Sequence, residues 1–546
     1  MTLCGIFEQL DPGESVRQGW RGRLEEVIFD PARATALLMD LSSSFFVVAH
    51  ERGLGLVSGG QMGLQRAGEG ELPCLGWVPA SAPEGLGDPG YLAEHGTRFA
   101  YQAGAMAQGI ASSRLVIALG RAGFVGSYGS GGQGLEAVDK ALSEIQGALP
   151  QGPFMVNLLH NAHSPEDEMR LVSLLLERGV TTVEAAAYIV PSKALVRFRV
   201  SGLAQGPRGE VVCRHRVVAK LSREEVALKF LHPAEEALVA ELGEQGLVSA
   251  EQVELARRVP LADDITVEGD SGGHTDGRPL VCLIPALIAL RDQVQRERGY
   301  ERRVRIGAGG GIGTSAAALA AFDLGAAYIV TGSINQACLE AGTSPLVKKM
   351  LAEAEMADVM MCPSADMFEL GAKVQVLKRG TLFPVHAQKL YQLFTAHGSI
   401  EDLPAKDREA LERRVFKRSL DEVWMETARF FEQRDPRTLE QARADPRKKM
   451  ALVFRWYLGC SSRWAIAGES GRMTDAQIWC GQSMGAFNRW VMGTPLENPE
   501  KRKVAELAAH LLRGAAWLAR VRHLERGLHL RAIGEVDPLR NGLLRV

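Results

Sequence analysis

The chain has 546 residues, a formal net charge of −2 and 46% hydrophobic residues. That length allows several domains, or one large barrel with additions, and the interspersed acids and bases argue against a nucleic-acid-binding or polybasic membrane surface. The 8 cysteines lie far apart with no CxxC pair, which fits reduced thiols better than a metal site or a disulfide framework.

The opening stretch, MTLCGIFEQLDPGE, has no charged-then-apolar leader pattern. The longest clean apolar run, residues 280–290, is too short to span a bilayer. A cytoplasmic location, with no membrane, is the expectation. Residues 1–95 read as a small β-containing unit plus linker. Within it, residues 44–49 and 53–58 suggest a hairpin, 75–78 a further strand, and the Pro- and Gly-rich 79–89 a linker.

From Thr97 a βα rhythm begins. Strands are predicted at 99–104, 123–129, 154–159, 181–188, 211–221, 265–268, 304–308 and 327–331. Helices are predicted at 110–120, 135–149 and 314–324, and Ser164 has the position of an N-cap. Eight strands alternating with helices predict an α/β fold, a (β/α)8 TIM barrel over residues 96–345, with an open doubly wound sheet as the competitor. Helices at 333–340 and 346–355 follow. Residues 346–546 then form a helical region around the substrate side. It holds a Met-rich patch (359–368), a charged stretch (405–435) and aromatic residues Trp456, Trp464, Trp479 and Trp490, which are expected to pack a core.

Two segments carry the strongest chemical signal. VRIGAGGGIG (304–313) and YIVTGSINQ (328–336) are each a strand, a small-residue loop and a helix start. Glycines there let backbone N–H groups approach an anion, and the helix N-terminus adds a favourable dipole. Such loops after the last two strands make a phosphate site in many barrels. The sixth strand runs into EGDSGGHTD (268–276), which puts Glu268 and an imidazole, His274, at a strand's C-terminal end. Asn157 is polar inside an apolar third strand and suits the edge of a heterocycle, while Lys220 ends the fifth and could neutralise an electron-rich ring or a phosphate. His160 and His163 are weaker candidates. Asp263, Asp264, Asp270 and Asp276 read as caps and turn residues rather than metal ligands, and Cys362 has no base beside it.

Together FAYQAGAMAQGIAS, VIALGRAGFVGSYGSGG, FMVNLLH, ITVEGDSGGHTDGRP, RIGAGGGIG and YIVTGSINQ resemble the PfaD-type trans-acting enoyl reductases of polyunsaturated fatty acid and trans-acyltransferase polyketide synthases. The wider relatives are the FMN-dependent barrel enoyl-acyl-carrier-protein reductases and the nitronate monooxygenases. PSADMFELGAKVQVLKRGTLFP and QIWCGQSMGAFNRWV extend the resemblance downstream. It implies FMN at the barrel mouth, with Ala103, Gly104, Ala105 and Met106 along the flavin and Asn157 at its edge. Glu268, Gly272, Gly273 and His274 would line the ring, and Gly309, Gly310, Gly311, Gly332 and Ser333 would hold the phosphate. Lys220 joins this set from its place at the strand end. The sequence departs from shorter relatives at Ser271, where they carry Ala, and at Ala103–Met106, where several carry Gly-Gly-Met. The implied activity is reduction of α,β-unsaturated thioesters on an acyl carrier protein by NADPH, with His274 as the catalytic group and a homodimer as an expected assembly. The alternatives are a nitronate monooxygenase-like flavin oxidase and a non-catalytic protein that only binds the carrier.

Overall fold

The computed structural model describes residues 2–3, 7–9, 18–161 and 164–532; His163 lies outside the described residues. Eight parallel strands close into a barrel: Tyr101–Ala103, Val125–Tyr128, Met155–Leu159, Thr182–Ala186, Arg216–Leu221, Asp264–Glu268, Arg305–Gly309 and Ile329–Thr331. These are the first to eighth barrel strands. Most are short runs of small and β-branched residues, the composition of strands covered on both faces. The eighth pairs with the first through Ile329↔Tyr101 and Thr331↔Ala103, which closes the cylinder and excludes the open sheet. Helices pack outside. Ser113–Arg121, for example, buries Leu115, Val116 and Leu119 on one face.

Four local expectations shift. The predicted strand 211–221 is two elements, because the charged run Arg214-His215-Arg216 interrupts it. Val211–Cys213 folds back on Leu203–Gln205 as a hairpin, and only Arg216–Leu221 enters the barrel. The helix placed at 110–120 starts later, where Ser112 Oγ caps Leu115 N at 3.2 Å. The helix placed at 333–340 is the short Ser333–Gln336. Residues 79–89 are not a loose linker: Asp88 N donates to Ala327 O at 2.8 Å, and a Cβ on Gly87 would lie 2.4 Å from that same oxygen.

The N-terminal part forms a five-stranded antiparallel sheet in the order Gly53–Val57, Phe45–His50, Leu72–Val78, Gln18–Arg21, Gln61–Arg66. Its apolar face, with Phe45, Val47 and Val78, packs on Trp517, Val521 and Leu524 of the last long helix, Val504–Gly527. Arg520 of that helix is buried, and its guanidinium donates to the carbonyls of Leu38, Asp40, Leu41, Ser43 and Pro79. A small sheet joins the two ends of the chain, with Phe7–Gln9 between Thr2–Leu3 and Leu530–Ala532.

After the eighth strand, a hairpin of Val359–Pro363 and Lys373–Leu377 leads into helices that share a second core, among them Phe383–Ala396 and Pro446–Ala467. The charged stretch is a helix, Ala405–Ala410, that widens into Leu411–Phe416 and stops at Lys417, whose φ is 59°. A capping box of Ser419 and Glu422 then starts Leu420–Arg434. Three of its bases are matched by acids: Arg408 pairs with Asp421, Arg418 with Glu426, and Lys417 with buried Asp475.

Candidate active site

The C-terminal ends of the barrel strands and the segments that follow them line one cavity of about 440 Å³. At one end lie the two glycine loops. Gly310 turns the chain at φ 88°, and a Cβ there would come within 2.8 Å of the Gly269 backbone. A Cβ on Gly311 or Gly332 would meet nothing within 4 Å. Both line the cavity, so a side chain there would fill the cradle instead of the protein core. The helix starts at Ser315 and Ser333 follow directly, so backbone N–H groups gather at this end. Ser333 Oγ accepts from Gly481 N at 2.9 Å, which leaves its proton free to donate into the cavity. An acceptor-rich dianion such as a phosphate monoester fits this donor set.

The floor is polar. Lys220 Nζ lies 3.2 Å from Glu268 Oε1. Burial pulls the Lys220 ammonium down, but Glu268 and then Glu184 outweigh it and hold its pKa above the ordinary value. Asn157 Nδ2 donates to Glu184 O at 3.1 Å, so its Oδ1 is the atom left for a ligand. Gly104, Ala105 and Met106 form the adjoining wall with Gln108, whose Nε2 donates to Ser462 Oγ at 3.0 Å.

Another wall carries His274. It sits in a two-residue strand, Gly273–His274, that pairs antiparallel with the Lys373–Leu377 strand of the later hairpin. That pairing brings in Asp366, and His274 Nε2 lies 3.0 Å from Asp366 Oδ2. Burial disfavours the imidazolium, yet the Asp366 hydrogen bond and charge, with Glu268, raise the His274 pKa overall. Partial burial pushes the Asp366 carboxyl up, but its bond to His274 dominates and holds it at about 2. Gln375 Nε2 ties the same segment down, donating to Asp270 Oδ1 and Ser271 O, both at 2.7 Å. Gly272 is required here by space, since a Cβ would lie 2.8 Å from the Cys480 carbonyl carbon.

Residues 92–379 match the family model described as nitronate monooxygenase. This is more than half of the chain. The chain belongs to the nitronate monooxygenase family, on its PfaD-type branch. Residues 397–476 match a second model, the inserted helical domain of [acyl-carrier-protein] S-malonyltransferase, which the sequence pattern alone did not suggest. The chain is 47% identical over 446 residues to a polyunsaturated fatty acid synthase polypeptide of Thraustochytrium sp., covering 80% of this chain and 30% of that protein. It is 44% identical over 436 residues to the polyketide biosynthesis protein PksE of Bacillus subtilis, covering 80% of this chain and 56% of that one. The chain thus matches only part of the length of these curated relatives. The crystal structure of the enoyl reductase domain of MlnA, from the macrolactin biosynthesis cluster of Bacillus amyloliquefaciens, aligns with a TM-score of 0.78 and 36% identity. That alignment covers 81% of this chain and 99% of the MlnA domain.

Members of the nitronate monooxygenase family are flavin-dependent oxidoreductases, and the cavity fits such a group: a glycine cradle for a phosphate, apolar and amide edges, and a cation on the floor. Of the residues the sequence singles out, Gly104, Ala105, Met106, Asn157, Lys220, Glu268, Gly272, Gly273, His274, Gly309, Gly310, Gly311, Gly332 and Ser333 all line it. Ala103 does not. It is fully buried within the first strand, one residue short of the bend that opens the wall. His160 is also outside, paired with Glu168 at 3.2 Å. From the Met-rich patch, Ser364, Ala365 and Asp366 line the cavity but its methionines do not: Met360 and Met361 belong to the hairpin strand, and Cys362 and Phe368 lie in the second core. Trp479 does line the cavity, while Trp456 and Trp464 pack against the second core as expected.

The four aspartates are ion-pair and hydrogen-bond partners rather than caps. Asp263 pairs with Arg199, Asp264 with Arg305 and His95, and Asp276 with Arg223, while Asp270 accepts from Gln375 and Gln482. Two residues of the site are not singled out from the sequence. Asp366 falls in the PSADMFELG stretch, but nothing local there marks it as a site residue. Glu184 carries a local signal: a lone acid inside the apolar fourth strand, TVEAA, is a residue whose burial needs partners.

Proposed function

We propose that this chain is an FMN-dependent enoyl reductase that reduces α,β-unsaturated acyl thioesters on an acyl carrier protein with NADPH, in polyketide or polyunsaturated fatty acid biosynthesis. It would act in trans in the cytoplasm, and a homodimer is the assembly we expect. The observation that carries the reading is one cavity lined by both a glycine anion cradle and the His274–Asp366 pair.

Gly309, Gly310, Gly311, Gly332 and Ser333 would hold the FMN phosphate, with Gly104–Met106, Asn157, Lys220, Glu268, Gly272 and Gly273 around the ring. Bound FMN supplies hydride transfer, with the nicotinamide as the source. The chain's own work is placement and proton supply. Asp366 holds His274 Nε2, so Nδ1 is the ring nitrogen left to meet the substrate. An imidazolium there would polarise the thioester carbonyl and return a proton to the α-carbon. Stabilising the developing enolate oxygen is worth a few kcal/mol in sites of this kind, roughly 3.

The test is spectroscopic. Under nitrogen, NADPH should bleach the purified yellow protein, and a crotonyl thioester on a carrier protein should restore the colour. His274→Ala should keep the flavin and lose turnover with the thioester; unchanged turnover would remove His274 from the reaction. The family model also covers nitronate oxidases, and recolouring by air with no response to the thioester would favour that reading. A protein that binds carrier but no flavin would be a scaffold.

A further inference from the structure

Beneath the cavity floor, and outside its lining, lies Glu184 of the fourth barrel strand, about 1% exposed. Three parts of the site converge on it. Its carboxylate accepts from Ala105 N at 3.1 Å, which fixes the first-strand loop at its bend. It also accepts from Gln102 Nε2 at 2.6 Å. Its backbone carbonyl holds the Asn157 amide. On its other side is Lys220. Glu184 is in register with Val218 on the neighbouring fifth strand, and Lys220 is two residues further along on the same face. Lys220 is therefore shared by two carboxylates: Glu268, which a ligand can touch, and Glu184, which it cannot.

We propose that Glu184 is a positioning residue of the flavin site, with two separable actions. Its oxygens brace the Ala105 loop, and its charge offsets Lys220 so that the floor offers a bound ring less positive potential than a lone lysine would. The pKa of Lys220, held up by both carboxylates, agrees with this sharing. The inference rests on the flavin reading of the cavity.

The structure also supplies a way to separate the two actions. Gln102 Oε1 is buried and has no hydrogen-bond partner. In Glu184→Gln the new amide can place its oxygen on Ala105 N and its nitrogen toward Gln102, whose own amide turns over so that Oε1 accepts. The bracing survives and only the charge is lost. Negative charge near a flavin disfavours its electron-rich reduced form, so this variant should bind FMN as the parent does and show a higher flavin midpoint potential in a dye-coupled redox titration. Glu184→Ala removes the bracing as well, and its FMN dissociation constant, read by fluorescence of added FMN, should rise tenfold or more. Glu184→Asp keeps the charge on a shorter arm. It should weaken FMN binding while leaving the potential at the parental value, and it stands in should the Gln variant not fold.

An unmoved potential in the Gln variant overturns the electrostatic action. Parental FMN affinity in the Ala variant overturns the bracing. A potential in the Asp variant that moves as far as removal of the charge would move it also overturns the assignment. A parent protein that takes up no flavin sinks the flavin reading itself, which a failure of Glu184 alone does not.

Discussion

Replacing Asp366 with Asn tests the site's proton chemistry at one atom. The Asn oxygen can still accept from His274 Nε2, so the ring keeps its orientation while its counter-charge disappears. The pair spans 3.0 Å, with the His274 and Asp366 side chains 40% and 56% exposed, so solvent screens it. Pairs this open are worth about 0.4–1 kcal/mol, a factor of about two to five in the imidazole's protonation equilibrium. The sign follows from the raised His274 pKa. If the imidazolium is the acid, turnover is present at low pH and declines as pH rises through the His274 pKa. Asp366→Asn should therefore start that decline at lower pH, with kcat/KM in the acid plateau little changed. The same pair's contribution to stability is full below the ordinary imidazole pKa, near 6.5, and fades as pH passes the raised value. The assay is the pH profile of kcat/KM for the thioester, alongside an NMR titration of the His274 ring. An alkaline limb that stays in place while the ring titration shifts would show that His274 is not the group whose protonation the reaction needs.

Three further outcomes follow from particular contacts. Gly332→Val places its side chain in open cavity space, so the apoprotein should melt as the parent does while FMN affinity falls at least tenfold; retained flavin would move the phosphate elsewhere. Burial presses the Arg520 guanidinium down to about 10, and five carbonyls depend on it. Arg520→Met should cost about 3 kcal/mol and make the N-terminal sheet susceptible to protease ahead of the barrel; equal protection would deny the clamp. Trp479 lines the cavity, so FMN binding should quench tryptophan emission, and Trp479→Phe should remove most of that quenching with little loss of affinity.

The barrel and the floor of its site were readable because both are written locally. A strand ends, small residues follow and a helix begins, so Gly309–Gly311, Gly332 and Lys220 fall at strand ends by position alone, Asn157 stands out as the polar residue inside an apolar strand, and His274 follows in the glycine-rich segment after the sixth. The same logic overreached by one residue at Ala103, where the chain bends later than the apolar run suggests. It also overreached at 211–221, where apolar content hid the break between a hairpin strand and the barrel strand. Asp366 and Trp479 could not be placed this way. They reach the cavity only because residues 273–274 pair with the later hairpin and Trp479 bridges to Val376, contacts set by tertiary packing. The short strand at His274 has no periodicity to announce it.

The antiparallel pairing of Phe7–Gln9 with Leu530–Ala532 has a mechanical corollary. Hydrogen-bonded strands run about 5 Å apart, so chain entering at Thr2–Leu3 and leaving at Leu530–Ala532, with Phe7–Gln9 between them, is displaced by only about two such widths. Carried within a longer polypeptide, a unit built in this manner would hang as a side branch and add almost nothing to the reach of the backbone that bears it. Tension along that backbone would load this strand pair before it reached the cylinder.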